Sequence, residues 1–351
     1  MTERIFRPPK LIYGSGIVAD IFPTDVPYAV ATMPVPWDLV RGRTTAQAPT
    51  AVIMTSDMSM ESLEKAAADV PPVDVVYGIG GGSSHDMAKF IAMKQGCRVI
   101  QVPTMIGGDA AVTPTIVIRQ EGRVTSIGYV PVEQVVVDFD LIRTAPPELV
   151  TVGACDALSS ITAIWDWRLA ADLGLETWDD DLFRSALSVI ERLRAGRYEI
   201  RERTDAGIRA IFEAFVVYAE MAHTLGGSRP EEGSEHFLAY NIEYISRRGF
   251  VHGQLLAVCI AAMSYFQSNH FDQTMSLLSD MGIPVDLEQI KVTEEVFIRA
   301  LVTLREFVRQ SDYYYSIAHH RDISKDEAVE CLRAIQGWGN RVKQGACSLR
   351  S

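Results

Sequence analysis

The sequence lacks the features that define several classes of protein. Its 351 residues contain no apolar run of about 18 residues, so we expect no membrane span. The five cysteines are an odd number and form no C-x-x-C pair, which favours reduced thiols in a cytoplasmic protein over a disulfide scaffold. The start, Met1-Thr2-Glu3-Arg4, leads into no apolar segment, so we expect no secretory leader.

Positive charge is also in short supply. The 33 lysines and arginines are outnumbered by 45 aspartates and glutamates, which gives a formal net charge of −12 at pH 7. This balance argues against nucleic acid or an anionic membrane as a partner. An anionic small-molecule substrate would need a local basic patch, because the overall field of the protein repels it.

The first part of the chain alternates short apolar runs with helix-like stretches. This alternation predicts a parallel sheet with helices on both faces. The strand candidates are residues 28–31, 51–54, 73–77, 99–102 and 135–137, and the helix candidates are 60–68 and 86–94. Residues 115–118 and 123–127 flank Glu121-Gly122, which predicts a hairpin inserted in this layer.

Long periodic stretches replace the strand signals from about Pro146 onward. They predict an all-α second domain, so we expect an α/β domain over residues 1–145 and a helical domain over 146–351. The predicted helices cover residues 156–173, 180–195, 204–224, 253–266, 293–308 and 325–343. A ligand of the first domain would face the cleft between the two.

The glycine cluster Gly80-Gly81-Gly82-Ser83 follows an apolar run and precedes a helix-like pattern. Glycines let the backbone turn tightly, and free N–H groups at a helix start favour an anion. The cluster therefore predicts a phosphate or nucleotide site, with a merely tight turn as the alternative. It has neither the G-x-G-x-x-G spacing nor a following Gly-Lys-Ser/Thr.

Three residues of the second part suit a divalent metal. Asp156 opens a predicted helix, and His236 and His252 lie in glycine-flanked segments. One carboxylate and two imidazoles leave coordination positions open for Lewis-acid catalysis. The residues are far apart in the chain, so the alternative is that Asp156 caps a helix and the histidines have capping or core roles.

Further polar residues are candidates for ligand contacts. Asp109 follows a predicted strand and either contacts a substrate hydroxyl or forms an Asx turn. Thr104 and Thr113 could donate hydrogen bonds to a cofactor. His85 either touches the cofactor or points to solvent, and we interpret His319-His320 as a solvated loop.

Taken together, these motifs resemble the dehydroquinate synthase-like superfamily, which holds metal-dependent polyol and alcohol dehydrogenases and sugar-phosphate cyclases. Within it they are most similar to the sn-glycerol-1-phosphate dehydrogenases. The matching segments occur in family order: Gly80-Gly81-Gly82-Ser83 with Asp86 and Lys89, Pro103-Thr104 with Asp109 and Thr113, Gly153-Ala154-Cys155-Asp156, Gly227-Ser228-Arg229-Pro230 with Gly233-Ser234-Glu235-His236, and His252-Gly253.

The resemblance implies a dehydrogenase with a Rossmann-like N-terminal nucleotide-binding domain, a helical C-terminal domain, and NAD or NADP in the cleft between them. It implies zinc, or iron, held by Asp156, His236 and His252, and a substrate-hydroxyl role for Asp109. The substrate would be a small polyol, a hydroxyketone or its phosphate, with glycerol 1-phosphate/dihydroxyacetone phosphate as the leading pair, and we expect a homo-oligomer. The implied cofactor contacts are Gly80, Gly81, Gly82, Ser83, Asp86, Lys89, Thr104 and Thr113.

The chain departs from the family pattern at three places. No acidic residue follows the strand at 28–31 to hold an adenine ribose, which leaves NAD versus NADP open. Tyr240 stands where relatives carry another histidine, and Asp109-Ala110 replaces Asp-Gly. Two alternative functions remain: a sugar-phosphate cyclase, whose Gly-Gly-Lys-Thr segment is missing, and a cofactor-binding sensor with a dead site.

Overall fold

The computed structural model describes residues 7–22, 25–43, 47–55, 57–120 and 123–348, with strands in the first 138 residues and helices throughout. The strands are β1 (Lys10–Gly14), β2 (Tyr28–Thr32), β3 (Ala51–Met54), β4 (Val75–Gly80), β5 (Arg98–Pro103), β6 (Thr115–Gln120), β7 (Arg123–Tyr129) and β8 (Gln134–Asp138). The helices before residue 200 are α1 (Pro34–Arg41), α2 (Met60–Ala68), α3 (Gly82–Gln95), α4 (Phe139–Ile142), α5 (Glu148–Thr151), α6 (Ala154–Leu158), α7 (Ser160–Asp172), α8 (Asp180–Ala195) and α9 (Arg197–Glu202). The later helices are α10 (Asp205–Leu225), α11 (Ser234–Ser246), α12 (His252–Phe266), α13 (Phe271–Asp280), α14 (Glu294–Val302), α15 (Leu304–Arg309), α16 (Ile317–His320) and α17 (Lys325–Ser348).

Six strands form one parallel sheet in the order β3-β2-β4-β5-β8-β1. Both faces of this sheet are buried: Val75 and Tyr77 of β4 pack into one hydrophobic cluster, and Val76 packs into another. Successive side chains of a strand point to opposite faces of the sheet. Because both faces are buried, the strand sequences are unbroken apolar runs. The chain reverses its direction of travel across the sheet between β3 and β4, so the carboxyl ends of β2 and β4 border a ligand crevice.

The hairpin forms as predicted, but it does not join the parallel layer. Strands β6 and β7 pair only with each other in a separate antiparallel sheet, among the described residues. The turn residues Glu121-Gly122 lie outside the described residues. The expectation that the hairpin is inserted in the layer is therefore wrong, and the hairpin instead covers one side of α3.

Helices account for the regular structure described after Asp138, and several differ from the predicted spans. The predicted helix over residues 156–173 is divided into α6 and α7, and the one over 293–308 is divided at Thr303. The apolar helix α12 is buried along most of its length, as a core helix should be. No helix in the described ranges is long and apolar enough to cross a membrane.

The expected class, an α/β Rossmann-like part followed by helices, is confirmed. The boundary between residues 145 and 146 stays a prediction. The cysteines whose side chains are described are Cys97, Cys155, Cys259 and Cys331, and all four are free thiols.

Candidate active site

The glycine cluster forms the sharp turn from β4 into α3. Gly80 has a φ of 145°, a conformation that side chains rarely adopt, and a Cβ there would lie 2.7 Å from the Ser84 hydroxyl. Helix α3 begins directly at Gly82, and no side chain caps its N-terminus. The first N–H groups of α3, with the half-buried Ser83 among them, thus remain available to an anion at the carboxyl end of the sheet.

Asp86 and Lys89 form a buried ion pair one turn further along α3. The Lys89 ammonium lies 2.8 Å from the Asp86 carboxylate and donates to the carbonyl oxygens of Ala110 and Thr113 at 3.1 Å each, and to that of Thr115. The visible role of Lys89 is therefore to hold the loop after β5 against α3. A cofactor contact for Asp86 or Lys89 stays a prediction.

The two candidate threonines lie on either side of that loop. Thr104 is buried at the end of β5, where its N–H donates to the carbonyl of Gly80 at 3.0 Å. Thr113 is half-buried, and its hydroxyl accepts a 3.5 Å hydrogen bond from the Thr115 N–H. Thr104 thus contacts the glycine turn through its backbone, whereas the Thr113 carbonyl accepts from Lys89. A hydrogen bond from either hydroxyl to a cofactor stays a prediction.

Asp156, His236 and His252 converge from three helices. The Oδ1 atom of Asp156 is 3.6 Å from His236 Nε2 and 3.4 Å from His252 Nε2, and the two Nε2 atoms are 3.2 Å apart. Two nitrogen ligands of a tetrahedral zinc ion at about 2.0–2.1 Å are separated by about 3.3 Å. The side chains present therefore fit one divalent ion, with coordination positions left for substrate.

Close packing by glycine makes this convergence possible. A Cβ on Gly108 would lie 2.8 Å from the Oδ2 atom of Asp156, so a side chain at this position would displace the carboxylate or the loop after β5. That same oxygen accepts a 2.8 Å hydrogen bond from the Asp109 N–H. The alternative that Asp156 caps a helix is wrong, since α6 has no side-chain cap and the carboxylate bonds to a different segment.

The electrostatics of the trio favour a cation. Burial opposes the charged form of Asp156, but the His252 and His236 side chains lower its pKa well below the usual range. Burial likewise opposes protonation of His236, yet hydrogen bonds to Asp156 and Glu235 raise its pKa well above the usual value. A site that stabilises an imidazolium in this way also stabilises a metal ion in its place.

Asp109 lies beside the trio in a short 3₁₀ turn over Asp109–Ala111. The turn is closed by its backbone carbonyl, which accepts from the N–H of Val112 at 2.7 Å, so the Asx-turn alternative does not describe it. Burial and the Asp156 charge raise the pKa of the Asp109 carboxyl to about 7. Ala110 is accommodated in place of the family glycine because this backbone is helical.

Glu235 was not among the predicted site residues, although it is the immediate neighbour of His236. Its carboxylate is fully buried, lies 2.9 Å from His236 Nδ1, and accepts from the Gly233 N–H and the Thr162 hydroxyl at 2.7 Å each. A carboxylate on the far nitrogen of a ligand imidazole fixes its tautomer and orientation. The Glu-His pair in the sequence was a signal that could have indicated this.

Two predictions about other histidines are corrected. His85 does not point to solvent: it is buried, its Nδ1 lies 2.7 Å from Gln101 Oε1, and burial lowers its pKa to about 4. His319 and His320 lie in helix α16 rather than in a solvated loop. The His319 ring is half-buried and stacks on Tyr315, with centroids 5.4 Å apart.

Comparison with known proteins gives a family match over part of the chain and a shared fold over nearly all of it. Residues 36–146 match the family described as iron-containing alcohol dehydrogenase. The fold is shared with a probable glycerol dehydrogenase from Sinorhizobium meliloti, at a TM-score of 0.72 and 17% identity over 97% of this chain and 99% of that one. A sulfoacetaldehyde reductase from Bifidobacterium kashiwanohense, solved with NAD+, gives a TM-score of 0.62 and 16% identity over 93% and 97% of the two chains.

Sequence relatives then narrow the class. The glycerol-1-phosphate dehydrogenase [NAD(P)+] of Hyperthermus butylicus is 28% identical, covering 89% of this chain and 93% of its own length. That of Sulfolobus acidocaldarius is 29% identical over 80% of each chain. The chain is thus similar in sequence to glycerol-1-phosphate dehydrogenases and shares the fold of a probable glycerol dehydrogenase, in line with the motifs.

Proposed function

We propose that the protein is a metal-dependent dehydrogenase that transfers hydride between a nicotinamide cofactor and a small polyol, a hydroxyketone or its phosphate. The observation that carries this proposal is the convergence of Asp156, His236 and His252 within 4.8 Å of one another. The glycine turn at the crevice and the names of the relatives support it. Those names make glycerol 1-phosphate and dihydroxyacetone phosphate the first pair to test.

Asp156, His236 and His252 would hold zinc or iron, which when bound supplies Lewis-acid polarisation of a carbonyl oxygen. Glu235 keeps the His236 ring oriented toward the ligand position. Asp109 would accept a hydrogen bond from a substrate hydroxyl; the bond from its N–H to Asp156 Oδ2, which holds the residue beside the trio, supports this role.

The cofactor would be NAD or NADP with its pyrophosphate at Gly81, Gly82 and Ser83. The N-terminus of α3 offers N–H groups and a positive dipole end there. The residues around the expected adenine ribose do not distinguish NAD from NADP. Helix α1 begins at Pro34 with no acid before it, and Arg41 is exposed and paired with Asp38 at 2.8 Å.

We propose in addition a cytoplasmic, homo-oligomeric protein with domains over residues 1–145 and 146–351. Free thiols at the described cysteines support the reducing compartment. Sedimentation of the purified protein tests the oligomer, and limited proteolysis around residue 145 tests the boundary.

The proposed reaction is tested by mixing the zinc-loaded protein with NADH or NADPH and a panel of ketones and ketose phosphates. Cofactor oxidation identifies a dehydrogenase. Phosphate release without net oxidation would instead identify a cyclase. Cofactor binding with neither reaction across the panel would favour the sensor alternative.

A further inference from the structure

Asp166, in helix α7, connects three segments of the helical part of the chain. Its side chain is fully buried, and its two oxygens accept hydrogen bonds from different backbones: Oδ2 from the Ser234 N–H and Oδ1 from the Ile317 N–H, at 2.8 Å each. These partners lie 68 and 151 residues further along the chain, at the first residues of α11 and α16. Asp166 thereby fixes the starts of both helices to α7.

The start of α11 depends on this carboxylate because its own N-cap residue cannot supply an acceptor. The N-cap is Gly233, which has no side chain, and the free N–H groups at a helix start need acceptors. The Asp166 carboxylate accepts the N–H of Ser234 and carries the negative charge that the positive end of the helix dipole favours. Helix α11 is therefore capped from α7, and the capped residue lies just two positions before His236.

A second residue of α7 contacts the hydrogen-bond partner of His236. Thr162 lies one turn before Asp166, at the i, i+4 spacing that places two side chains on the same side of a helix. Its hydroxyl donates to Glu235 Oε2 at 2.7 Å, and Glu235 Oε1 lies 2.9 Å from His236 Nδ1. One face of α7 thus binds both the Glu235 carboxylate and the backbone that precedes it.

Gly233 allows the two carboxylates to come close to each other. A Cβ on Gly233 would lie 2.9 Å from Asp166 Oδ2, 3.0 Å from Glu235 Oε2 and 2.8 Å from the Cα atom of Ala163. Burial, followed by the charge of Glu235, raises the pKa of Asp166 to about 6. A buried carboxyl with a shifted pKa, next to the partner of a candidate metal ligand, is typical of a functional site.

We propose that Asp166 is a positioning residue for His236: it fixes the first turn of α11 so that the imidazole, backed by Glu235, directs Nε2 toward Asp156 and His252. The inference rests on the proposed metal-dependent function, and Asp166 acts through the α11 backbone. Asp156 and His252 lie in other helices, so their distances of 3.6 Å and 3.2 Å to His236 Nε2 depend on where α11 begins. Functional sites tolerate displacements of only about 0.5 Å, so loss of this anchor weakens metal binding even where α11 still forms.

The test measures the zinc affinity of Asp166→Asn by chelator competition and the visible spectrum of the cobalt(II)-substituted protein. Asparagine keeps the size of the side chain but has a single acceptor oxygen, so its NH₂ group faces one of the two N–H groups that the carboxylate bound. We expect the zinc affinity to fall by about tenfold or more, as for other residues behind a metal ligand. The cobalt absorption bands should shift, because the geometry of the ligands changes.

The matched control is Asp138→Asn, the same change in another fully buried carboxylate that accepts backbone N–H groups. Asp138 accepts from Gly16 at 3.2 Å and from Val18 at 3.0 Å, in a segment that carries none of the metal-binding trio. Both variants should unfold at a lower temperature than the wild type, but only Asp166→Asn should change the zinc affinity and the cobalt spectrum. Wild-type affinity and spectrum in Asp166→Asn would overturn the inference, as would an equal loss in Asp138→Asn.

Two further measurements keep the inference testable. If Asp166→Asn does not fold, Asp166→Glu, which keeps the charge and moves both acceptor oxygens by one methylene, is compared with Asp138→Glu in the same way. If the wild type binds no metal, the proposed function fails, and nitrogen NMR of the His236 ring in the metal-free protein decides the inference. An Nδ1–H signal that Asp166→Asn alters and Asp138→Asn leaves unchanged supports the positioning role, and a signal unaltered in Asp166→Asn overturns it.

Discussion

The Nε2 atoms of His236 and His252 lie 3.2 Å apart, with Asp156 Oδ1 within 3.6 Å of both. Two imidazoles bring their nitrogens this close either when a proton is shared between them or when both face one cation. Asp109 adjoins the cluster, since its N–H donates a 2.8 Å hydrogen bond to Asp156 Oδ2. The short distance between these two nitrogens therefore makes metal binding the first property of the site to test.

Replacement of a ligand should remove the metal. We expect the wild type to carry one divalent ion per chain and His252→Gln to bind zinc at least about 100-fold more weakly, because one of three protein ligands is lost. Elemental analysis and competition with a chromogenic chelator measure this. His320→Gln, at an exposed residue of α16, is the control and should bind zinc normally. A metal-free wild type whose activity does not rise with added zinc would refute the site.

Substitution in the glycine turn should weaken cofactor binding without disturbing the fold. At Gly81 the φ of −107° suits any residue, and a Cβ would meet only the flexible Met105 side chain, at 3.2 Å from its sulfur. Gly81→Val therefore places its methyl groups where the pyrophosphate approaches the α3 N-terminus, and we expect NADH affinity to fall by about tenfold or more. Fluorescence titration measures the affinity. Gly42→Val, at a position with open space around it, should bind NADH as the wild type does; equal affinity in both variants would make the turn purely structural.

The sequence predicted the ends of a helix correctly where residues next to the helix determine them. Helix α8 begins and ends where predicted, because Asp179 caps its first turn and Gly196 follows its last residue. Helix α3 begins four residues earlier than predicted, since Gly82-Ser83-Ser84-His85 forms its first turn. Helix α11 was not predicted, because it is buried on several sides and its residues show little amphipathic periodicity.

The site itself combines predictable and unpredictable parts. Asp156, His236 and His252 were candidates from their residue types and settings, and the family resemblance implied them as a ligand set. Their convergence depends on tertiary packing that spacing in the chain cannot show. The position of the Pro230-Glu231 segment depends on hydrogen bonds from Ser160 and Ser159, which lie about 70 residues earlier. The family motif indicates a cofactor contact for Lys89. In the structure its ammonium anchors the loop after β5, a role that the motif did not indicate.

Neutralising Glu235 should weaken the metal site through His236. Its carboxylate is fully buried and holds His236 Nδ1 at 2.9 Å, so Glu235→Gln keeps the shape but removes the charge behind the ligand. We expect zinc affinity to fall by about 10–100-fold, the range typical of such outer partners. Chelator competition gives the affinity, and circular dichroism checks the fold. Glu220→Gln, on the exposed face of α10, should leave zinc binding unchanged, and a wild-type affinity in Glu235→Gln would limit Glu235 to a structural role.

Acid should destabilise the protein in part through His85. Burial lowers the pKa of His85 to about 4, whereas an unfolded histidine has a pKa of about 6.5. Between these values the unfolded chain binds the extra proton, so stability falls as pH falls below about 6.5, by about 2 kcal/mol from this group at pH 5. His85→Gln, which can still bond to Gln101, should lose that part of the dependence in urea unfolding at pH 7 and pH 5. His320→Gln should keep the wild-type dependence, and an unchanged dependence in His85→Gln would mean that His85 is not held neutral.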